Sequence, residues 1–104
     1  MKVGFLNKEL QKLYETGKSR KFKLEDSVCR RFVAAVNRLA AALSIHDLWK
    51  QPGFKFEKLQ GYEKRFSMRI SQKYRLEMEI DWQNPERTIG IIGIDELSKH
   101  YEDS

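Results

Sequence analysis

Arg69 and Arg75 are the two residues whose type and spacing point most directly to chemistry, because both sit in the most ordered stretch of the chain. Phe66, Met68 and Ile70 form one apolar set. Tyr74, Leu76, Met78, Ile80 and Trp82 form a second, with Arg75, Glu77, Glu79 and Asp81 between them. Period two over two runs predicts two half-buried strands. Keeping apolar opposite apolar requires an odd loop, and Ser71-Gln72-Lys73 supplies a three-residue one. Arg69 then faces Arg75. Like charges directly opposite weaken a strand pair by roughly a few tenths to 1 kcal/mol, and a bound anion relieves them. Arginine suits phosphate because its planar fork donates to two oxygens at once. A purely structural outcome is the alternative: the two side chains splay apart and pair with Glu77 or Glu63.

Other reactive residue types are sparse. Cys29 is the single cysteine, so no internal disulfide forms, and with His46 and His100 it offers no zinc spacing. No structural metal or cofactor is expected. Cys29, in the first turn of a helix, reads as packing, and His46 as a structural or surface histidine. Lys18 to Lys23 place four bases around Phe22. Such a segment suits contact with RNA backbone and stacking on a base, or equally a solvated loop with Phe22 tucked inward.

The formal charge is +5, unevenly spread. Residues 95–104 hold four acids and one Lys, so of 20 bases and 15 acids the first 94 residues carry 19 and 11, a balance of +8. A basic body implies a polyanion or an acidic protein as partner; the acidic end, Glu102-Asp103-Ser104, could lie near that face and partly screen it, though nothing in the spacing demands this. With 34% charged and 40% hydrophobic residues, the 104-residue chain has the composition of one globular domain. No apolar run approaches the roughly 18 residues of a membrane span, and Met1 to Phe5 lack a signal-peptide core. A cytoplasmic location is the expectation.

The elements that must position the arginines follow in order. Lys2 to Leu6 predict a short strand, and Asn7 caps a helix with Leu10, Leu13 and Tyr14 inward and Gly17 at its end. Asp26 or Ser27 caps the longest helix, whose stripe is Val28, Phe32, Val36, Leu39 and Leu43. Arg30, Arg31 and Arg38 occupy its other face, as a solvated flank or a contact for an acidic partner. Ser44 and Asp47 resemble a capping box for a helical turn through Trp49, which Pro52-Gly53 stops. Phe54 and Phe56 alternate with Lys55 and Glu57, predicting a third strand. Asn84-Pro85-Glu86 makes a turn into a last strand over Thr88 to Ile94, whose isoleucines suggest cover on both faces. The fold class is α+β: two N-terminal helices packed on one face of an antiparallel sheet of four to five strands.

Taken together, Leu59-Gln60-Gly61, Phe66-Ser67-Met68-Arg69-Ile70, Tyr74-Arg75-Leu76 and Leu97-Ser98-Lys99-His100-Tyr101 resemble the RelE/ParE toxin superfamily, nearest its HigB or plasmid-killer branch. The resemblance covers nearly the whole chain. Each motif is short, and the specificity lies in their order. It implies a toxin of a type II toxin–antitoxin pair that cuts mRNA in the ribosomal A site and is neutralised by a small helix-turn-helix, HigA-like antitoxin, with which it forms a hetero-oligomer. Cleavage without a metal proceeds by attack of the 2′-hydroxyl on its own phosphate, which needs a base, an acid and cations. Arg75 matches the family's Tyr-Arg position. His100 and Tyr101 match the terminal His/Tyr positions and are the proton-transfer candidates, histidine because its pKa lies near neutrality. Arg69, Lys58, Lys64, Arg65 and Lys73 are the candidate RNA and phosphate ligands.

One position departs from the pattern. The family commonly reads Leu-Lys-Gly and then an acid, with the Lys assisting catalysis, whereas this chain has Leu59-Gln60-Gly61-Tyr62. Gln60 donates hydrogen bonds but is no acid or base; Tyr62 offers a stacking surface. Gln60 thus favours a second reading, a non-catalytic module that blocks DNA gyrase in ParE fashion or only binds its antitoxin. A third reading, a basic domain binding an unidentified acidic protein, explains the charge alone.

Overall fold

The hairpin forms in the expected register. In the computed structural model, which describes residues 1–99, β3 (Arg65–Arg69) pairs antiparallel with β4 (Tyr74–Trp82), aligning Phe66 with Met78, Met68 with Leu76 and Arg69 with Arg75. The Ile70 N–H donates to the Tyr74 carbonyl at 3.0 Å. Ser71 Oγ accepts the N–H groups of Lys73 and Tyr74, each at 3.3 Å, which closes the loop.

Around this hairpin the sheet has the order β1-β5-β4-β3-β2, with β1 Val3–Phe5, β2 Glu57–Lys58 and β5 Gly90–Lys99. It is mixed rather than antiparallel, because β1 runs parallel to β5, with Val3 opposite Ile92. At the opposite side of the sheet from β2, the first strand takes the free edge of β5. The chain between them supplies the long crossover that parallel pairing requires.

Three helices cover one face: α1 (Lys8–Thr16), α2 (Asp26–Ala41) and α3 (Ile45–Trp49). Leu10, Leu13, Phe32, Val36, Leu39 and Leu48 from the helices meet Met68, Leu76, Met78, Ile80, Ile92 and Ile94 from the sheet in one buried cluster. Asn7 caps α1 as expected, its Oδ1 accepting from the N–H of Glu9 and Leu10, and Gly17 ends the helix at φ 75°. Asn7 Nδ2 also donates to the Asp95 carbonyl at 3.0 Å, tying the helix start to β5.

Several local expectations change. The N-cap of α2 is Glu25, without a side-chain bond, and the helix stops at Ala41, so Leu43 leaves the stripe and is 83% exposed. At α3 neither bond of the box forms: Ser44 caps without a side-chain bond, and Asp47 Oδ2 accepts the N–H of Leu43, one residue before the cap, at 2.8 Å. Pro52–Phe54 is a 3-10 turn, since Pro52 sets a helical φ at its start; strand pairing is therefore confined to Glu57 and Lys58. β5 continues past Ile94 to Lys99, and it is covered on one face only: Ile92 and Ile94 are buried, whereas Ile91 is 42% exposed. Among the described residues the α-helices number three and lie on a single face, which leaves the Ile91 side open. Asn84 makes the expected turn, its Oδ1 accepting from the N–H of Thr88 and Ile89.

Candidate functional site

Alternation along β3 and β4 sends Arg75, Glu77 and Glu79 to the open face of the sheet, together with Arg65 and Ser67. Arg75 is held from several sides. Its Nε and Nη2 donate to Ser67 Oγ at 3.2 and 3.0 Å, and Nη2 also donates to the Lys55 carbonyl at 3.0 Å. Glu57 Oε1 lies 3.1 Å from the same Nη2. The acid partner is therefore Glu57 on β2 rather than Glu77 or Glu63, because β2 sits beside Ser67 and Glu57 aligns with it. Ser67 is 1% exposed, so one buried hydroxyl fixes one edge of the guanidinium. Glu57 and Ser67 are participants that spacing did not single out. The available signal was a small polar residue on the arginine face one strand away.

Arg75 aligns with Ser98, and Tyr74 with Lys99, the last described residue. His100 and Tyr101 follow Lys99 in the chain and lie outside the described residues.

Arg69 stands opposite Arg75 but is used differently. It lines a cleft with Arg31 and Lys23 at the α2 side of the hairpin, and no ion pair holds it among the described residues. Lys73 is exposed in the hairpin loop beside it.

Arg65, at the other end of β3, has a different environment. Its Nε is 2.9 Å from Glu77 Oε1, and its Nη1 is 2.8 Å from Asp95 Oδ2 and 3.5 Å from Glu79 Oε2. Asp95 reaches it because the ladder is irregular there: Glu77 pairs with Glu96 and Met78 with Ile94, which leaves Asp95 unpaired and turned to the open face. Burial pulls the Arg65 pKa down, but hydrogen bonds and charge from Asp95 and Glu77 more than reverse this, and the net shift is upward. Tyr62 adds its ring 5.8 Å from the guanidinium, so this aromatic faces Arg65.

The remaining candidates lie along the β2 side. Lys58 is exposed on β2, and Gln60 is exposed in the turn that Gly61 completes at φ 85°. Lys64 pairs with Asp81 at 3.3 Å in an open setting. The candidates thus divide into a group at the hairpin end, Arg69, Lys73 and Arg75, and a group at the start of β3, Lys64 and Arg65. Four residues at ~3.3 Å each separate the groups by roughly 13 Å.

The open face is not a basic surface. Among the described residues six carboxylates, Glu57, Glu77, Glu79, Asp81, Asp95 and Glu96, outnumber its cations, which are Arg65, Arg75, Lys64 on Asp81, and Arg69 at the hairpin edge. Excess positive charge lies instead around the hairpin tip and along α2. None of the helices among the described residues is long and apolar enough to cross a membrane.

A solved structure of a YoeB/ParE toxin from Agrobacterium tumefaciens is similar to this chain in fold, with a TM-score of 0.52, 18% identity, and coverage of 97% of this chain and 100% of that one. No curated protein matches the chain in sequence. Residues 3–88 match the model of the HigB-like toxin family, described as RelE-like toxins of the type II toxin–antitoxin system HigB. That match spans most of the chain, including both strands of the arginine hairpin and the helices that back it, and the protein therefore belongs to the HigB-like family of RelE-like type II toxins.

Proposed function

We propose that this toxin is an endoribonuclease that cleaves mRNA on the ribosome and so arrests translation. The observation that carries the reading is the immobilised Arg75: a guanidinium fixed by a buried hydroxyl and a carbonyl, with 12% of its side chain exposed. It lies one residue pair from the strand end that leads to His100 and Tyr101. In the reaction, one of these two residues takes the proton of a ribose 2′-hydroxyl, whose oxygen attacks the adjacent phosphorus. The P–O5′ bond breaks, and the other residue supplies the proton to the departing 5′-oxygen. The products are a 2′,3′-cyclic phosphate and a 5′-hydroxyl. Arg75 balances the negative charge that builds on the phosphoryl oxygens. Arg69, Lys73 and Lys58 hold neighbouring phosphates, while Gln60, in the turn beside the Arg65 end of β3, offers a neutral hydrogen bond to RNA farther along the sheet and not to the group at Arg75.

Lys64 remains available to RNA because an exposed ion pair is weak. Arg65, surrounded by Glu77, Glu79 and Asp95, acts as framework rather than as a phosphate ligand. The partner that restrains the toxin is an antitoxin, read here as a small helix-turn-helix protein, and both act in the cytoplasm.

The neutral side chain of Gln60 favours a second reading, a toxin that acts by binding alone, on DNA gyrase or on its antitoxin. Induction in a sensitive host separates the two. Amino-acid incorporation that stops before any change in plasmid supercoiling supports the ribonuclease. Supercoiling that changes first supports the gyrase reading.

A further inference from the structure

The cleft between α2 and the hairpin tip is lined by Lys23, Arg31, Arg69 and Lys73, with Tyr74 in its wall and Glu25 as its one acid. Its volume is about 670 Å³, within the range of small-ligand sites. Among the described residues none of the four cations is in an ion pair, and they come from three separate parts of the chain. Lys23 belongs to the segment before α2, Arg31 to the second turn of α2, and Arg69 and Lys73 to the hairpin. Folding brings four like charges around one space, and a polyanion is the ligand that reverses the resulting repulsion.

We infer that this cleft is a binding site for the phosphodiester backbone of single-stranded RNA, continuing the path of the strand whose scissile phosphate lies at Arg75. The inference rests on the ribonuclease reading for its substrate and adds the direction of the strand. Six carboxylates on the open face make that face repulsive to RNA beyond Arg75. Arg69, opposite Arg75 on the ladder and also part of the cleft wall, connects the two places. The strand therefore leaves Arg75 around the hairpin edge towards α2 and not across the sheet. Half-buried Tyr74 supplies a ring on which a base can stack. The adjoining groove shares Arg31 and Arg69 with the cleft and adds Arg38, but the rest of its wall, Ala34, Ala35, Gly53, Phe54 and Ile70, is mainly apolar, and the proposed path does not enter it.

The test is binding of an uncleavable 2′-O-methyl oligonucleotide to the full chain, followed by fluorescence anisotropy over a series of salt concentrations. Each phosphate contact on a single strand contributes about 0.7 to the slope of log K against log salt. Lys23→Gln with Arg31→Gln should lower the slope by about 1.4, while Arg38→Gln, in the neighbouring groove, should leave it unchanged; an unaltered Tm confirms folding. An equal slope in the double variant, or no binding by the wild-type chain, overturns the inference. So does binding of poly-glutamate that depends on Lys23 and Arg31 when RNA binding does not, since the cleft would then dock an acidic protein. Because the probe cannot be cut, the outcomes separate. RNA binding that depends on the cleft without mRNA cleavage retains the cleft and removes the nuclease, and cleavage with unchanged slopes does the reverse.

Discussion

Arg69 and Arg75 stand directly opposite each other on the β3–β4 ladder, yet among the described residues only Arg75 of the two has an acid partner and a buried hydroxyl acceptor. The structure resolves the like-charge pair by sending the two guanidinium groups to different surroundings. Arg75 is positioned; Arg69 is left facing a basic cleft.

Ser67 is what fixes Arg75. Ser67→Ala removes the acceptor of two donor groups in a site that is 1% exposed, leaving a charged donor without its partner. The expected loss is about 1–3 kcal/mol, measured by urea denaturation. Cleavage should fall through the turnover number more than through substrate affinity, because the guanidinium remains but is no longer aimed.

Glu57 occupies the Nη2 that the proposed phosphate contact would use. It is 59% exposed, so Glu57→Gln should change stability by less than about 1 kcal/mol. Anion affinity at Arg75 should rise, read as tighter binding of a short uncleavable RNA at low salt. Unchanged affinity would mean that Glu57 does not restrain the arginine.

Arg65 is a structural hub. Arg65→Met leaves Glu77, Glu79 and Asp95 facing one another without their cation. The expected cost is about 2 kcal/mol, less than the roughly 3–5 of a fully buried pair because the carboxylates are partly solvated. The sign of the pH effect follows from the raised Arg65 pKa. A group raised in the folded state contributes stability that is complete below its unfolded pKa and lost only as pH rises through the folded value. For an arginine both values lie above any working pH, so its contribution is constant across the neutral range.

The glycines of β5 give a paired test. A Cβ at Gly90 would lie 2.5 Å from Ile80 Cγ2 and 2.9 Å from the Asp81 carbonyl oxygen, whereas at Gly93 its nearest neighbours would be side-chain atoms of Leu6, at 2.9 Å. The Asp81 backbone is fixed in the ladder, and Leu6 is 59% exposed and can rotate away. Gly90→Ala should therefore cost about 1–3 kcal/mol and Gly93→Ala much less, measured by thermal unfolding.

Much of this arrangement is legible in the sequence because a strict period of two leaves one register for the hairpin, and the Arg69–Arg75 alignment follows from it. The Asn7 cap and Gly17 stop are equally local. What is not legible depends on neighbours distant in the chain. Phe54 alternates like a strand residue, but Pro52 turns that segment into 3-10 geometry. The isoleucines of β5 resemble a strand buried on both faces, and only the packing of all three helices on one side shows that Ile91 is open. The Arg65 cluster depends on the irregularity that turns Asp95 outwards. Glu57 reaches Arg75 through a two-residue strand too short to give a pattern. His100 and Tyr101 rest on the family's motif, since they lie outside the described residues.

The central claim is that Arg75 stabilises the phosphate during RNA cleavage. Its most direct test is primer-extension mapping of mRNA on ribosomes programmed with a defined A-site codon, comparing the wild-type chain with Arg75→Ala. The account predicts cuts within the A-site codon for the wild type and a loss of at least about 100-fold in the variant, the scale of removing one transition-state donor. Equal cutting by Arg75→Ala, or none by a wild-type chain that still arrests growth, would contradict it.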